Sequence, residues 1–469
     1  MESCLGCIIC KKRKRLIGQL RYQIAISMRA ILLSFSTLFI IQLNHAQNNR
    51  INIITSSTDS TQKFSLYLPD SYTENKKFPL IIFFDPAARG SLPLSLYGTL
   101  ADKFDIILVG SFNSRNFDNN SSGIALQAIY NDLVSNYAVD KRSVFLSGFS
   151  GGSRAASQLA IENKGYFHGV IACGAGFSDQ QISPDFKIPY AAIVGNKDMN
   201  YSELLDVNHY LDSIGNDNIL IITEGGHDWP PVDYMELAIV WLLEKKINTA
   251  LLSELKNKWQ QHSVQKITTD AGYANYFDIE QLSRIVSFKP EMDSLLRAIP
   301  QNKTFEKDKR KFEESLDEEN NYYTRLINTY TKTMSFTNID SVKEEDWDKL
   351  IRQIHFMQHT KDKYMQLAGT RCQDKSFRLC VEYAMVLLQA KQYTEAYNTA
   401  HIGTYFTPDN FHLPFFMAEA AAGFDDKKLA RENLKTSIHK GMTTRARATT
   451  DPLLLKVFSK EDLEKFFEK

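Results

Sequence analysis

The sequence predicts an α/β domain, a mostly parallel β-sheet with helices on both faces, followed by an all-α domain. Between residues 51 and 243, short apolar runs alternate with longer stretches of helical character. Such alternation is typical of a parallel sheet that is covered on both sides. After about residue 245 the strand signals stop, and apolar residues recur at helical spacing to the C-terminus. A chain of 469 residues is long enough for both domains.

Eight strands are predicted in the first domain, and several are apolar without alternation, as expected of strands buried on both faces. They lie at residues 51–54, 64–68, 80–84, 106–109, 144–147, 170–173, 191–194 and 219–222. Helices are predicted between them, at residues 123–136, 153–162, 202–214 and 234–243. We place the α/β domain at residues 47–245 and the helical domain at residues 246–469.

Residues 1–46 have the layout of a signal peptide. A basic stretch at residues 11–15 precedes a 13-residue apolar run at residues 31–43, and Ala46 offers a small residue for cleavage. Thirteen residues are short for a bilayer span, which needs about 20. We therefore expect a secreted or periplasmic protein without a stable membrane span, with an uncleaved N-terminal anchor as the alternative. Met28 is a possible true start, since a complete signal follows it.

The charge of the chain is unevenly distributed. Residues 1–46 carry seven Lys and Arg against one acidic residue, so the remainder has a net charge of −6 although the whole chain is neutral. An acidic body disfavours nucleic acid as a partner, because nucleic-acid-binding surfaces are basic.

The cysteines indicate neither a metal nor a disulfide. Cys4, Cys7 and Cys10 have metal-like spacing, but a fourth ligand is missing nearby and all three precede the predicted cleavage site. No metal or other cofactor is expected. Cys372 and Cys380 would lie about 12 Å apart on one helix, beyond disulfide reach, so pairing would require a turn between them.

An internal repeat lies near the C-terminus. Ala384 and Ala396 recur 34 residues later as Ala418 and Ala430. This period resembles the tetratricopeptide repeat, in which small residues let paired helices pack closely, at residues 377–441. The resemblance implies a surface that could bind a protein partner.

The sequence G-x-S-x-G at residues 148–152 follows an apolar strand and precedes a stretch of good helix formers. This context is typical of a nucleophile elbow, a sharp strand-to-helix turn that exposes a serine. The turn requires small residues two positions before and after the serine, which Gly148 and Gly152 supply. Ser150 is therefore the candidate nucleophile.

A serine nucleophile needs a base that is oriented by a carboxylate, and in this type of fold the chain order is Ser, then Asp or Glu, then His. Asp198 and His227 each follow a predicted strand after Ser150. The carboxyl ends of strands are where sites form in open α/β sheets. We predict a catalytic triad of Ser150, Asp198 and His227, with Asp206 and Asp228 as alternatives for the acid.

The elbow, the Asp198 loop and G-H-x-W-P at residues 226–230 together resemble secreted α/β-hydrolases of the polyhydroxybutyrate-depolymerase and feruloyl-esterase type. The resemblance covers about residues 50–245 and implies an α/β-hydrolase domain. It implies a serine esterase that cleaves carbohydrate-linked or other small acyl esters, without a cofactor.

One position departs from this family. Its members usually have His-Gly after the third strand, where backbone amides help to bind the oxyanion, whereas this chain has Asp85 and Pro86. Because proline has no N–H, the predicted oxyanion donors are Gly151 and Ala87. Asp85 is expected to organise the loop through local bonds to the backbone.

Three residues are candidates for substrate contacts: Arg89, Phe149 and Trp229. Arg89 would favour an acidic substrate, and Trp229 would either wall the pocket or pack its own loop. The loops between the strands are too short for a large lid, so an open site is expected.

Two other functions stay open. A catalytically weak or inactive hydrolase domain could serve as a platform for protein binding by the helical domain. A serine peptidase would use the same chemistry on an amide.

Overall fold

The computed structural model describes residues 50–116, 120–177, 182–334 and 344–468. The predicted signal peptide and the three N-terminal cysteines lie outside these residues. Along the described parts of the chain, no helix combines the length and the apolarity that crossing a membrane requires.

The eight predicted strands are confirmed, and they form one sheet. Their bounds are β1 Asn52–Thr55, β2 Lys63–Tyr67, β3 Phe78–Phe84, β4 Ile107–Ser111, β5 Val139–Phe149, β6 Val170–Cys173, β7 Tyr190–Gly195 and β8 Asn218–Thr223. The spatial order is β1-β2-β4-β3-β5-β6-β7-β8. Strand β2 runs antiparallel to both of its neighbours, β1 and β4, and β3 to β8 are parallel to one another. The carboxyl ends of β5, β7 and β8 therefore meet at one edge.

Five helices cover the sheet: α1 Ser91–Phe104, α2 Ser121–Asn136, α3 Gly151–Glu162, α4 Tyr201–Ser213 and α5 Val232–Leu243. The sequence pattern predicts the last four but not α1. Its first turn contains Pro93, which a helix tolerates there because the missing N–H would have no intrahelical acceptor.

Both faces of the sheet are buried, as the apolar strands predict. Alternate residues of β3 point into two different cores, Leu80 and Ile82 into one and Ile81 and Phe83 into the other, and none is more than 1% exposed. Helices α2, α3 and α4 cover the first face, and α1 and α5 cover the second.

In the described residues that follow the sheet, every regular element is a helix, as predicted. After one 3-10 turn, Glu244–Lys246, their bounds are α6 Thr249–Thr269, α7 Tyr273–Leu282, α8 Lys289–Ala298, α9 Lys303–Met334, α10 Glu344–Gln358, α11 Lys363–Gln389, α12 Tyr393–Phe406, α13 His412–Gly423, α14 Lys427–His439, α15 Arg445–Thr449, α16 Leu454–Val457 and α17 Lys460–Lys465.

The first of these helices belong to the core of the sheet. Trp259 of α6 and Met292 of α8 are buried with residues of α1 and α5, and Gln281 of α7 accepts a hydrogen bond of 2.9 Å from the N–H of Leu220 in β8. This contact covers an edge strand that would otherwise present unpaired backbone groups. A separate core begins at Tyr322 in α9 and extends to Leu463.

Helices α11 to α14 contain the internal repeat. Ala384, Ala396, Ala418 and Ala430 are all fully buried where these helices pack. The tetratricopeptide repeat itself stays a prediction. Cys372 and Cys380 lie on α11 as buried free thiols, so the turn that a disulfide would require is absent.

Stability should fall as pH rises because of Glu419 in α13. Burial raises the pKa of this carboxyl to about 9, helped by a hydrogen bond with Asp451 and opposed by Arg447. In the unfolded chain a glutamate titrates near pH 4.3. Between these two pH values the folded state holds a proton on Glu419 that the unfolded state has lost. The contribution of Glu419 to stability is therefore complete below about pH 4 and disappears as pH rises to about 9.

Glu419→Gln keeps the hydrogen-bonding shape without the ionisation. We expect its free energy of unfolding in urea at pH 8 to exceed that of the native protein by more than about 1.4 kcal/mol, with a smaller difference at pH 5. Glu432→Gln, on the exposed face of α14, is the control and should follow the native curve. Parallel pH profiles for Glu419→Gln and the native protein would show that Glu419 does not titrate differently on folding.

Candidate active site

Ser150 lies between the end of β5 and the start of α3, in a backbone conformation with φ 53° and ψ −120°. A residue with a side chain is rarely found there, and such strain costs about 1–3 kcal/mol. The turn is tight because Gly148 approaches the carbonyl of Gly152, and Gly152 approaches that of Phe84, so a Cβ at either glycine would overlap backbone atoms. The elbow therefore has the geometry that the sequence predicts.

The three predicted triad residues come together. His227 Nε2 lies 2.8 Å from Ser150 Oγ, and His227 Nδ1 lies 2.9 Å from both carboxylate oxygens of Asp198. A carboxylate that accepts from Nδ1–H selects the tautomer in which Nε2 accepts the Ser150 hydroxyl proton. The side chains of His227 and Asp198 are 3% and 1% exposed, which strengthens both bonds.

The acid is held by its own loop. Asp198 Oδ1 accepts a 2.8 Å hydrogen bond from the N–H of Asn200, whose side chain donates to the carbonyl of Gly174. Of the alternatives, Asp228 accepts instead from the N–H of Trp229, and Asp206 lies on α4. The structure therefore brings only Asp198 to the imidazole.

Phe149 and Trp229 lie behind the histidine. The Phe149 ring centroid is 4.7 Å from that of His227 and 5.5 Å from that of Trp229, and both aromatic residues are 7% exposed. Neither lines the cleft beside Ser150. The structure thus places Trp229 in the second of its two predicted roles, packing its loop, and places Phe149 under the imidazole.

Asp85 connects the loop after β3 to the histidine loop. Its buried carboxylate accepts hydrogen bonds from the Ala87 N–H at 2.9 Å, from Trp229 Nε1 at 3.1 Å and from the Arg89 guanidinium at 2.8 and 2.9 Å. Burial alone would raise the pKa of Asp85, but these hydrogen bonds outweigh it and hold the pKa below its usual value. The predicted local role of Asp85 agrees with these contacts.

Two predicted assignments differ from this geometry. The Ala87 N–H donates to Asp85, so it is not free to donate to an oxyanion beside Ser150. The Arg89 guanidinium is paired with Asp85 and does not line the cleft, so its charge is neutralised rather than presented to a substrate. Both differences arise because Asp85 is buried and must be compensated.

Asp85→Asn should destabilise the protein by about 1–3 kcal/mol at pH 7, because the buried N–H donors lose a charged acceptor. Since the folded-state pKa is lowered, this contribution is present above about pH 4 and disappears as pH falls through the folded-state pKa. Urea unfolding at pH 7 and pH 3.5 measures it. Equal stability of Asp85→Asn and the native protein at pH 7 would contradict the expected role.

A cleft of about 520 Å³ opens beside Ser150. Most of its lining side chains are polar, and they include Arg115, Asn116, Asn120, Gln158, Asn200, Lys375 and Glu382. The last two belong to α11, so the helical region forms one wall of the site that was expected to be open. Within the described ranges, no group of three His, Cys, Asp or Glu side chains is arranged to hold a metal ion.

The helical region also holds in place the loop that carries Asp198, residues 196–200, which we call the acid loop. Arg371 of α11 donates to the carbonyl of Asn196 at 2.9 Å, and Lys375 donates to Asn200 Oδ1 at 3.1 Å. The hydroxyl oxygen of Tyr323 in α9 lies 3.2 Å from the carbonyl oxygen of Met199 and 2.6 Å from the Glu319 carboxylate. None of these three residues belongs to a motif that marks it as part of the site. No local motif could reveal them, because each is more than 120 positions from its partner in the acid loop.

No protein-family model matches the chain, and no curated protein matches it. Similar solved structures include an S-formylglutathione hydrolase from Staphylococcus aureus, 15% identical over 41% of this chain and 97% of that chain, with a TM-score of 0.34. A ferulic acid esterase is 16% identical over 42% and 96% of the two chains, with a TM-score of 0.34. A hyperthermophilic esterase from the archaeon Pyrobaculum calidifontis is 12% identical over 41% and 82%, with a TM-score of 0.33.

Proposed function

We propose that this chain is a serine esterase that hydrolyses small carboxylic esters with a Ser150–His227–Asp198 triad. The observation that carries the proposal is the continuous hydrogen-bonded line from Ser150 Oγ through the imidazole to Asp198, built on a strained elbow. The strained backbone of Ser150 at the end of a parallel strand costs free energy. A serine with a purely structural role would not need this conformation.

In the proposed reaction, Ser150 Oγ attacks the carbonyl carbon while His227 Nε2 takes its proton. The carbonyl electron pair moves to oxygen, and the tetrahedral intermediate collapses as the imidazolium returns the proton to the leaving alcohol. Asp198 stabilises the imidazolium and holds its orientation. A water molecule then repeats these steps on the acyl-enzyme and releases the acid.

The cleft supports a hydrophilic ester as the substrate. Amide and charged side chains provide hydrogen bonds to hydroxyl or carboxylate groups, whereas a long acyl chain would leave them unpaired. Esters linked to a carbohydrate fit this chemistry. We also propose, from the layout of residues 1–46, that the enzyme acts outside the cytoplasm.

The competing proposal is an inactive hydrolase domain that carries a protein-binding helical region. The specific observation in its favour is the Ala87 N–H, which donates to Asp85 instead of facing Ser150. It predicts an intact fold without turnover.

Full-length protein incubated with a fluorophosphonate probe distinguishes the two proposals. We expect covalent labelling on Ser150, located by peptide mapping, and hydrolysis of p-nitrophenyl acetate faster than of the octanoate ester. A folded protein with neither labelling nor hydrolysis would reject the esterase and favour the platform. Cleavage of peptide p-nitroanilides in preference to esters would indicate a peptidase.

A further inference from the structure

The loop after β4 brings Asn116 to the nucleophile. Arg115 forms a β-bridge with Ala87, and the N–H of Asn116 donates to the carbonyl of Pro86 at 3.0 Å. These contacts anchor the backbone of Asn116 to the loop after β3. Asn116 lines the same cleft as Ser150 and Gly151.

The Asn116 carboxamide lies directly against Gly151, the residue after the nucleophile. A Cβ built on Gly151 would overlap Asn116 Oδ1 and lie 2.6 Å from Asn116 Nδ2. Helix α3 begins at Gly151, so the N–H of this residue has no intrahelical acceptor and points towards the cleft end of the helix. A backbone N–H and a side-chain amide therefore lie next to each other beside Ser150.

We propose that Asn116 is a catalytic residue whose Nδ2–H donates to the oxyanion together with the N–H of Gly151. This inference rests on the proposed esterase function. The side-chain amide takes the place of the Ala87 N–H, which Asp85 already binds. When Ser150 Oγ bonds to the carbonyl carbon, the displaced electron pair resides on the carbonyl oxygen, which is the atom that Asn116 would contact.

The carboxamide is free to present its donor. Rotation about the Cβ–Cγ bond exchanges Oδ1 and Nδ2, and the two atoms are assigned from their hydrogen bonds rather than seen directly. Among the described residues, no hydrogen bond to the Asn116 side chain competes with the oxyanion. A developing negative charge selects the orientation in which N–H faces it.

The first test substitutes Asn116 in the full chain. Asn116→Ala and Asn116→Asp should each lower kcat for p-nitrophenyl acetate by about 100- to 1000-fold, the usual effect of losing one oxyanion donor, with little change in KM. The aspartate keeps the size of the side chain, so it separates loss of the donor from loss of packing. If either folded variant retains native kcat, the inference is wrong.

Asn113→Ala is the matched control. Asn113 lies in the same loop, but its side chain bonds to the backbone of Lys63 and Thr61, away from the cleft. We expect native kcat from this variant, even if its melting temperature falls. A loss of kcat as large as that of Asn116→Ala would mean that loop stability, not a donor, sets the rate.

The second test uses the contact with Gly151. Its φ lies outside the left-handed region, so alanine is accommodated once the flexible end of Asn116 moves aside. Gly151→Ala should lower kcat at least 10-fold with an unchanged melting temperature. In the Asn116→Ala background the same change should cost little more, whereas equal losses in both backgrounds would show that the two residues act independently.

The two proposals fail separately. If the native protein neither hydrolyses esters nor reacts with a fluorophosphonate, the esterase proposal fails and the role of Asn116 fails with it. If the native protein is active and the Asn116 variants match it, only the oxyanion assignment is rejected.

Discussion

Replacing Ser150 with alanine is expected to lower kcat/KM for p-nitrophenyl acetate by about 10⁴-fold or more. In the proposed triad His227 and Asp198 activate a hydroxyl, and among the described residues no hydroxyl other than that of Ser150 bonds to the imidazole. His227→Ala should cause a similar loss, and the double variant should lose little more, because the two residues act as one unit. Steady-state kinetics of the three variants measure this.

Ser153→Ala is the control for this experiment. Ser153 lies on α3, three residues after the nucleophile, but its Oγ donates to the carbonyl of Ala175 at 2.6 Å. Losing this buried hydrogen bond should reduce stability by about 1 kcal/mol and leave kcat near the native value. Ser150→Ala with native activity would place the nucleophile elsewhere.

Arg371→Met is expected to destabilise the protein by about 3–5 kcal/mol. Arg371 and Glu319 form an ion pair at 2.6 Å in which the side chains are 3% and 0% exposed. Removing the guanidinium leaves the Glu319 carboxylate buried without a counter-charge, bonded to the hydroxyls of Tyr323 and Ser202, and this cost exceeds the value of the pair itself. Chemical denaturation at pH 7 measures the difference.

The double variant Arg371→Met, Glu319→Leu separates stability from function. Without a buried charge it should recover much of the lost stability. It should still have lower kcat than the native protein, because Arg371 no longer holds the carbonyl of Asn196 and the Asp198 loop is less well fixed. Native kcat in a stable double variant would show that Arg371 does not position the acid.

Arg378→Met is the matched control on the same helix. Arg378 pairs with Asp374 at 3.0 Å on a face where both side chains are a quarter or more exposed. Solvent screens such a pair, so the variant should lose less than about 0.5 kcal/mol and keep its activity. A large effect here would indicate that any change on α11 disturbs the protein.

The sequence by itself determined the features that depend on local pattern. Short β-rich runs predicted all eight strands, and several of these runs are unbroken because a strand buried on both faces has no polar side. The elbow at Ser150 was predictable from local pattern too, because a tight turn requires small residues at fixed offsets from the serine. Chain order and strand ends selected Asp198 and His227, because parallel strands bring their carboxyl ends to one edge.

Only the tertiary structure decided which donors and side chains already have a partner within the protein and which can face a substrate. The Ala87 N–H satisfies buried Asp85, Trp229 packs behind His227, and Arg371 reaches the acid loop from a different region of the chain. These outcomes depend on contacts between residues far apart in sequence and on the need to compensate each buried charge. Periodicity and motifs carry no information about such contacts, so the partner of a donor emerges only when the chain has folded.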